Sequence, residues 1–190
     1  MNALRAVLAD RQLRLTVDDY LLLDRGGAFS AYARTELVDG AILPVNARYV
    51  PHAYAKVELA YRLRDALKSL GSDLYVFVEV SVAMPPHSMP VPDIALSRTR
   101  HVQGALPVEA VALIAEVSFT TQDVDLGPKP AIYAAAGVPE YWVVDLEGRR
   151  AHRMRVPGAD GYATSESFDL GVRLESATIA GLVVDTAALA

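Results

Sequence analysis

The chain contains no cysteine. That absence excludes a disulfide framework and every thiolate metal site, so any metal would have to be held by carboxylates, imidazoles or carbonyl oxygens. Long apolar runs are missing as well. The opening stretch MNALRAVLADRQLR has no unbroken hydrophobic segment of the length that a signal peptide or a membrane span needs, and a cytoplasmic protein is expected. Several catalytic signatures are absent: GxxxxGK[ST], HExxH, GxSxG and a glycine-rich dinucleotide turn. Nucleotide-driven, zinc-peptidase and serine-hydrolase chemistries thereby lose their main support. Positive charge is scarce. A formal net charge of −5 argues against gripping nucleic acid by bulk charge, and no helix-turn-helix or zinc-finger pattern offers a recognition element.

What is present fits one well-buried core. The 190 residues are 52% hydrophobic and 22% charged, with 11 Pro and 12 Gly to punctuate short elements. No repeat or linker divides the chain, and a single domain over residues 1–190 is expected. LTVDDYLLL begins with Thr16, and Asp19 three residues on makes a capping-box pattern at a helix start. TELVDGAILPV turns about Asp39-Gly40, a hairpin signal that puts Glu36 on the first strand. From His52 to about Leu70, apolar residues at Ala53, Val57, Ala60, Leu63, Leu67 and Leu70 predict an amphipathic helix stopped by Gly71. LYVFVEVSVAM, VPDIAL and VALIAEVSF read as strands, AIYAAAG as a short helix, and EYWVVD as a further strand. RRAHRMRV and GYATSESF flank the turn signal PGAD and give a hairpin. The order implies an α/β domain of the mixed α+β kind around a central sheet.

Acidic residues stand where such a sheet expects Leu, Ile or Val. Strand alternation places Ile114, Glu116 and Ser118 on one face and Leu113, Ala115, Val117 and Phe119 on the other. A buried carboxylate needs a cation, donors or water. Asp93 lies on the strand preceding in sequence, and pairing in register would bring it beside Glu116. Two converging carboxylates repel, which raises one pKa or recruits a cation such as Mg²⁺. Lys129 follows downstream, where a short helix could return its ammonium over the strand end. Carboxylates, metal and lysine together suit phosphodiester hydrolysis.

Pro92-Asp93 followed by the EVS of Glu116 to Ser118 resembles the PD-(D/E)XK nuclease superfamily. A closer resemblance covers most of the chain. LTVDDYLLL, TELVDGAI, His52 in the next helix, PDIAL, IAEVSFTTQDVDLGPK and YAAAGVPEYWVVD look like the Uma-type family, bacterial proteins described as putative restriction endonucleases. The resemblance implies a restriction-endonuclease-like core with flanking helices and added hairpins, and a divalent metal, Mg²⁺ or Mn²⁺. It further implies a nucleic-acid substrate, expected to be double-stranded DNA. It assigns Asp93 and Glu116 as metal ligands, Glu36 as a further acidic member of the site, and Lys129 as a catalytic lysine relocated from the strand. Ser118 occupies the position at which the wider superfamily has its lysine.

Simpler readings stand beside these. Asp93 and Glu116 would also suit a structural ion pair, and Glu36 a solvated strand position. Lys129, between Pro128 and Pro130, is expected at the helix cap and not within the first turn. His52 reads first as a helix N-terminal or surface histidine, and Asp125 as a cap or a supporting residue. Arg149, Arg153 and Arg155 are expected on one strand face, which could contact a phosphate backbone but reads first as a solvated edge or a dimer contact. Tyr133, Tyr141 and Trp142 are expected in the core. The alternatives to an endonuclease are a catalytically inactive nuclease-fold binding domain and a phosphodiesterase acting on RNA or nucleotides. A homodimer would suit cleavage of two strands.

Overall fold

The structure, a computed structural model, describes residues 13–45 and 49–189. They form two compact units: a smaller one from residues 13–45 and Met84–Pro90, and a larger one from residues 49–83 and 91–189.

In the smaller unit, helix α1 (Val17–Arg25) starts where the capping box places it. The Thr16 hydroxyl accepts from the Asp19 amide, and the Asp19 carboxylate accepts from the Thr16 amide. Strands β1 (Thr35–Val38) and β2 (Ala41–Pro44) pair antiparallel with Glu36 opposite Leu43. Their turn uses Asp39 and Gly40 at φ 50° and 79°, the left-handed pair a two-residue hairpin requires. Gly40 is needed for room too, because a Cβ there would lie 2.7 Å from that of Arg14. The Tyr20 hydroxyl donates to the Thr35 carbonyl at 2.9 Å and ties α1 to β1.

The larger unit is built on a six-stranded sheet in the order β10-β9-β8-β7-β5-β3. Its strands are β3 (Tyr75–Val78), β5 (Ile94–Ser97), β7 (Val111–Ser118), β8 (Glu140–Asp145), β9 (Arg150–Gly158) and β10 (Gly161–Asp169), while the short strands β4 (Val82–Ala83) and β6 (Leu106–Pro107) pair with each other outside the sheet. Within this sheet, as described, only β7 and β8 pair parallel. A parallel pair needs a crossover, and helices α3 (Gln122–Asp125) and α4 (Pro128–Ala135) supply it. A Cβ at Gly127 would come within 2.1 Å of the Asp123 carbonyl oxygen, so the turn from α3 to α4 requires glycine.

Helix α2 (Val50–Ser69) packs Leu59, Leu63 and Leu67 into a core with Leu96, Leu113, Ala115, Val117 and Trp142. The buried stripe is rotated from the expected one. Val57 and Leu70 are exposed, while Lys56 is buried. Periodicity alone could not choose, because α2 carries a second apolar face alongside the first. LYVFVEVSVAM is likewise not one strand: Glu79, at φ 56°, breaks it between β3 and β4.

Tyr133, Tyr141 and Trp142 are fully buried, as expected. The anticipated arginine face is not a free one. Arg149 lies in a turn at φ 52°, Arg153 donates to Glu166 on β10 at 2.9 Å, and Arg155 stands 3.7 Å from the same carboxylate. No described helix is long and apolar enough to cross a membrane.

Candidate active site

β7 is the central acidic strand, buried along its whole length between β5 and β8. Its antiparallel register with β5 sets Ile94 opposite Ala115, so the residue before Ile94 falls beside the one after Ala115. Asp93 and Glu116 therefore meet at the strand ends. The Asp93 amide donates to Glu116 Oε2 at 2.9 Å, and the Val117 amide donates to Asp93 Oδ2 at 2.9 Å.

Each carboxylate has its own cation. Lys129 Nζ lies 2.8 Å from Glu116 Oε1 and 2.9 Å from Asp125 Oδ1. The Tyr133 hydroxyl, one turn further along α4, donates to the same Glu116 oxygen at 2.8 Å. Beside Asp93, Lys56 Nζ stands 3.4 Å from Oδ1 and is ion-paired to Glu79, whose amide donates to the Asp93 carbonyl at 3.0 Å. His52, one turn before Lys56 on α2, places Nε2 3.0 Å from Asp93 Oδ2. A carboxylate only accepts, so this contact calls for a hydrogen on Nε2. The other ring nitrogen, Nδ1, is buried and has no hydrogen-bond partner among the described residues.

Lys129 departs from the expected cap position. Gly127 is the N-cap and Pro128 the first helical residue, which puts Lys129 inside the first turn. First-turn amides have no intrahelical acceptor, so the missing N–H of Pro130 costs nothing there. Two ion pairs offset the steric bias that proline imposes on the residue before it.

Electrostatics follow from the count of charges. Among the described residues, Glu79, Asp93, Glu116 and Asp125 are ion-paired to Lys56 and Lys129, with His52 beside Asp93, and the side chains are largely buried. Burial pushes the Glu116 carboxyl up to about 8, with the charges of Asp125 and Asp93 adding to the rise and Lys129 opposing it. For Asp93 the outcome is reversed. Burial raises it, but the His52 contact, the Val117 amide and Lys56 together hold it below the ordinary carboxylate range.

The donor set fits a hard divalent cation. Two adjacent carboxylates in a cluster with excess negative charge provide oxygen ligands and a charge deficit that a proton on Glu116 otherwise fills. Among the described residues no group of three or more His, Asp or Glu side chains forms a ready cage. An ion such as Mg²⁺ would thus take two carboxylates and complete its shell with water or phosphate.

Asp93, Glu116 and Lys129 are brought together by the larger unit. Glu36 lies on β1 of the smaller unit and is buried, unlike the solvated strand position that was the simpler reading. Asp125 is buried against Lys129, and Ser118, in the strand position of the superfamily lysine, is fully buried with Oγ 3.3 Å from Thr121 Oγ1. Sequence reasoning missed Lys56, Glu79 and Tyr133. Lys56 did leave a signal: it follows His52 by one helical turn and interrupts an otherwise apolar helix face.

A fold with a mixed central sheet and a parallel crossover that returns a lysine to an acidic strand end is that of restriction-endonuclease-like proteins. The likeness is borne out by a crystal structure described as "a putative nuclease belonging to DUF820" from Anabaena variabilis. It matches with a TM-score of 0.69 and 17% identity over 92% of this chain and 97% of that one. Residues 17–187 match the model of the Uma2 family, described as "Putative restriction endonuclease", and the chain belongs to that family. No functionally curated protein matches it.

Proposed function

We propose that the protein is a Mg²⁺- or Mn²⁺-dependent endonuclease that hydrolyses phosphodiester bonds in DNA. The observation that carries this reading is the Lys129 ammonium 2.8 Å from Glu116, which in turn is joined to Asp93 through the strand backbone. Asp93 and Glu116 are the proposed metal ligands, and the bound ion would supply Lewis acidity to the scissile phosphate. Lys129 is proposed to stabilise charge developing on that phosphate. The family resemblance also brings Glu36 into the reading. Its own test is Glu36→Gln, expected to lose cleavage.

The assay is cleavage of plasmid and oligonucleotide DNA with Mg²⁺, Mn²⁺ or EDTA. Family membership makes duplex DNA the first substrate to try, and sedimentation of the same samples reads whether a homodimer forms. Asp93→Asn, Glu116→Gln and Lys129→Met should each reduce cleavage by roughly a hundredfold or more. Metal-independent cleavage, or cleavage that survives Asp93→Asn, sinks the proposal.

One observation favours a second reading, a non-catalytic binding domain that keeps the fold. Both Glu116 oxygens and both Asp93 oxygens already have partners in the protein itself. A domain of that kind would show no response to divalent metal.

A further inference from the structure

Two lysines bracket the Asp93–Glu116 pair, and each is held between two carboxylates. On one side Lys129 Nζ lies 2.8 Å from Glu116 Oε1 and 2.9 Å from Asp125 Oδ1. On the other, Lys56 Nζ is ion-paired to Glu79 and stands 3.4 Å from Asp93 Oδ1. The groups therefore follow one another as Glu79, Lys56, Asp93, Glu116, Lys129 and Asp125, acid and base alternating except at the centre, where the two strand carboxylates meet through the backbone. Lys129 already has a role in the nuclease reading. Lys56 has none, although it is buried and stands in the stripe of α2 that carries Leu59, Leu63 and Leu67.

Stability does not account for this lysine. A buried ion pair loses hydration that its attraction repays only in good geometry, and apolar side chains of similar volume commonly hold a fold as well or better. An apolar residue would simply continue the stripe. The partner of Lys56 is strained as well: Glu79 holds φ 56°, the left-handed region that a side chain with a Cβ avoids, and its amide donates to the Asp93 carbonyl at 3.0 Å. Backbone of this kind persists where its surroundings fix it, and it gathers at functional sites. The residue that neutralises Lys56 is thus tied to the main chain of Asp93.

Charge sets how many metal ions such a row takes. When ionised, its four carboxylates exceed its two ammonium groups by two charges, which one divalent ion cancels, and a neutral imidazole at His52 leaves that count unchanged. A second divalent ion would meet excess positive charge in a poorly hydrated cluster and would have to take oxygens that the lysines hold. We propose that Lys56, fixed by Glu79, is a resident cation in the place of a second metal ion and limits the Asp93–Glu116 site to a single divalent ion. The inference rests on the metal-dependent nuclease reading and deepens it by giving Lys56 and Glu79 a role. It excludes the paired-ion arrangement, in which two metals about 4 Å apart share the attacking and leaving oxygens.

The test counts the Mn²⁺ ions bound by the full chain in the absence of nucleic acid, by isothermal titration calorimetry and by electron paramagnetic resonance of the unbound ion. The wild type should take one ion per chain. Lys56→Met leaves Glu79 and Asp93 side by side without their cation, each with some solvent contact for the waters that an ion retains, and should take two. Adding Glu79→Gln to Lys56→Met removes one of the new ligands and should return the count to one. Lys56→Arg keeps the charge and should stay at one. Thermal melting of each variant reads whether it is folded; if Lys56→Met does not fold without metal, Lys56→Gln, whose amide still donates to one of the two carboxylates, makes the same comparison. Two ions in the wild type, or a single ion in the folded Lys56 variant, overturns the inference while leaving a metal site at Asp93 and Glu116. A wild type that binds no Mn²⁺ overturns the metal-dependent reading and the inference together.

Discussion

Asp93 and Glu116 hold each other through the backbone: the Asp93 amide donates to the Glu116 carboxylate, and the amide next to Glu116 donates to the Asp93 carboxylate, both at 2.9 Å. The exchange fixes both side chains without consuming all their lone pairs, since a carboxylate offers about four acceptor sites. The result is a rigid two-carboxylate edge with unequal proton affinities, low at Asp93 and high at Glu116.

Divalent metal should stabilise the protein. Mn²⁺ at about a hundred times its dissociation constant would add about 2.7 kcal/mol if it binds only the folded chain. A rise in Tm is expected for the wild type and is expected to vanish in Asp93→Asn and Glu116→Gln. Thermal melting across a Mn²⁺ series measures it, and an equal rise in all three proteins would move the metal elsewhere.

In EDTA, stability should fall as pH rises from about 4.5, the ordinary glutamate value, to about 8, the value of Glu116 in the fold. Over that window the folded state keeps a proton on Glu116 that the unfolded chain has released, so each step up in pH favours unfolding. The contribution is fully present below the lower value and gone above the upper one. The steepest slope is roughly 1.4 kcal/mol per pH unit. Glu116→Gln should flatten it, and melting curves of both proteins between pH 5 and pH 9, with all other ionic conditions held fixed, decide the matter.

Lys129→Met should be strongly destabilising, by roughly 3–5 kcal/mol, because it leaves the Asp125 carboxylate buried without its cation and the Glu116 carboxyl without the Lys129 donor. The loss should shrink when Glu116→Gln is combined with it. Urea unfolding of the two single variants and the double variant gives the coupling. Strict additivity would mean that the ion pair contributes nothing.

Glu140 offers a control away from the site. Its fully buried carboxylate accepts from the Trp142 indole, the Ser176 and Thr178 hydroxyls and the Ala177 and Thr178 amides. Glu140→Ala leaves those donors unpaired and should cost roughly 3 kcal/mol or more. The Mn²⁺-induced stabilisation should stay as in the wild type, a comparison that separates a structural carboxylate from the ligating pair.

Local rules were legible in the sequence wherever short-range chemistry governs. The capping box at Thr16, the hairpin at Asp39-Gly40 and the turn between β9 and β10 depend on residues a few positions apart, and the structure forms all three. Strand alternation also placed Glu116 correctly on the face opposite Leu113 and Val117. The carboxylate pair needed one more step, the β5–β7 register, which is set when side chains of both strands bury on one face.

What the chain by itself determined was its set of elements and the acidic positions on them, because helical and strand periods and turn chemistry act within a few residues. The tertiary structure decided which of α2's two apolar faces is buried, and with it that Lys56 and His52 turn toward Asp93. It also decided that Lys129 enters the first turn of α4 despite its flanking prolines. Both outcomes depend on partners distant in sequence: a sheet face that selects leucines over valine and tyrosine, and two buried carboxylates whose attraction outweighs a local backbone preference.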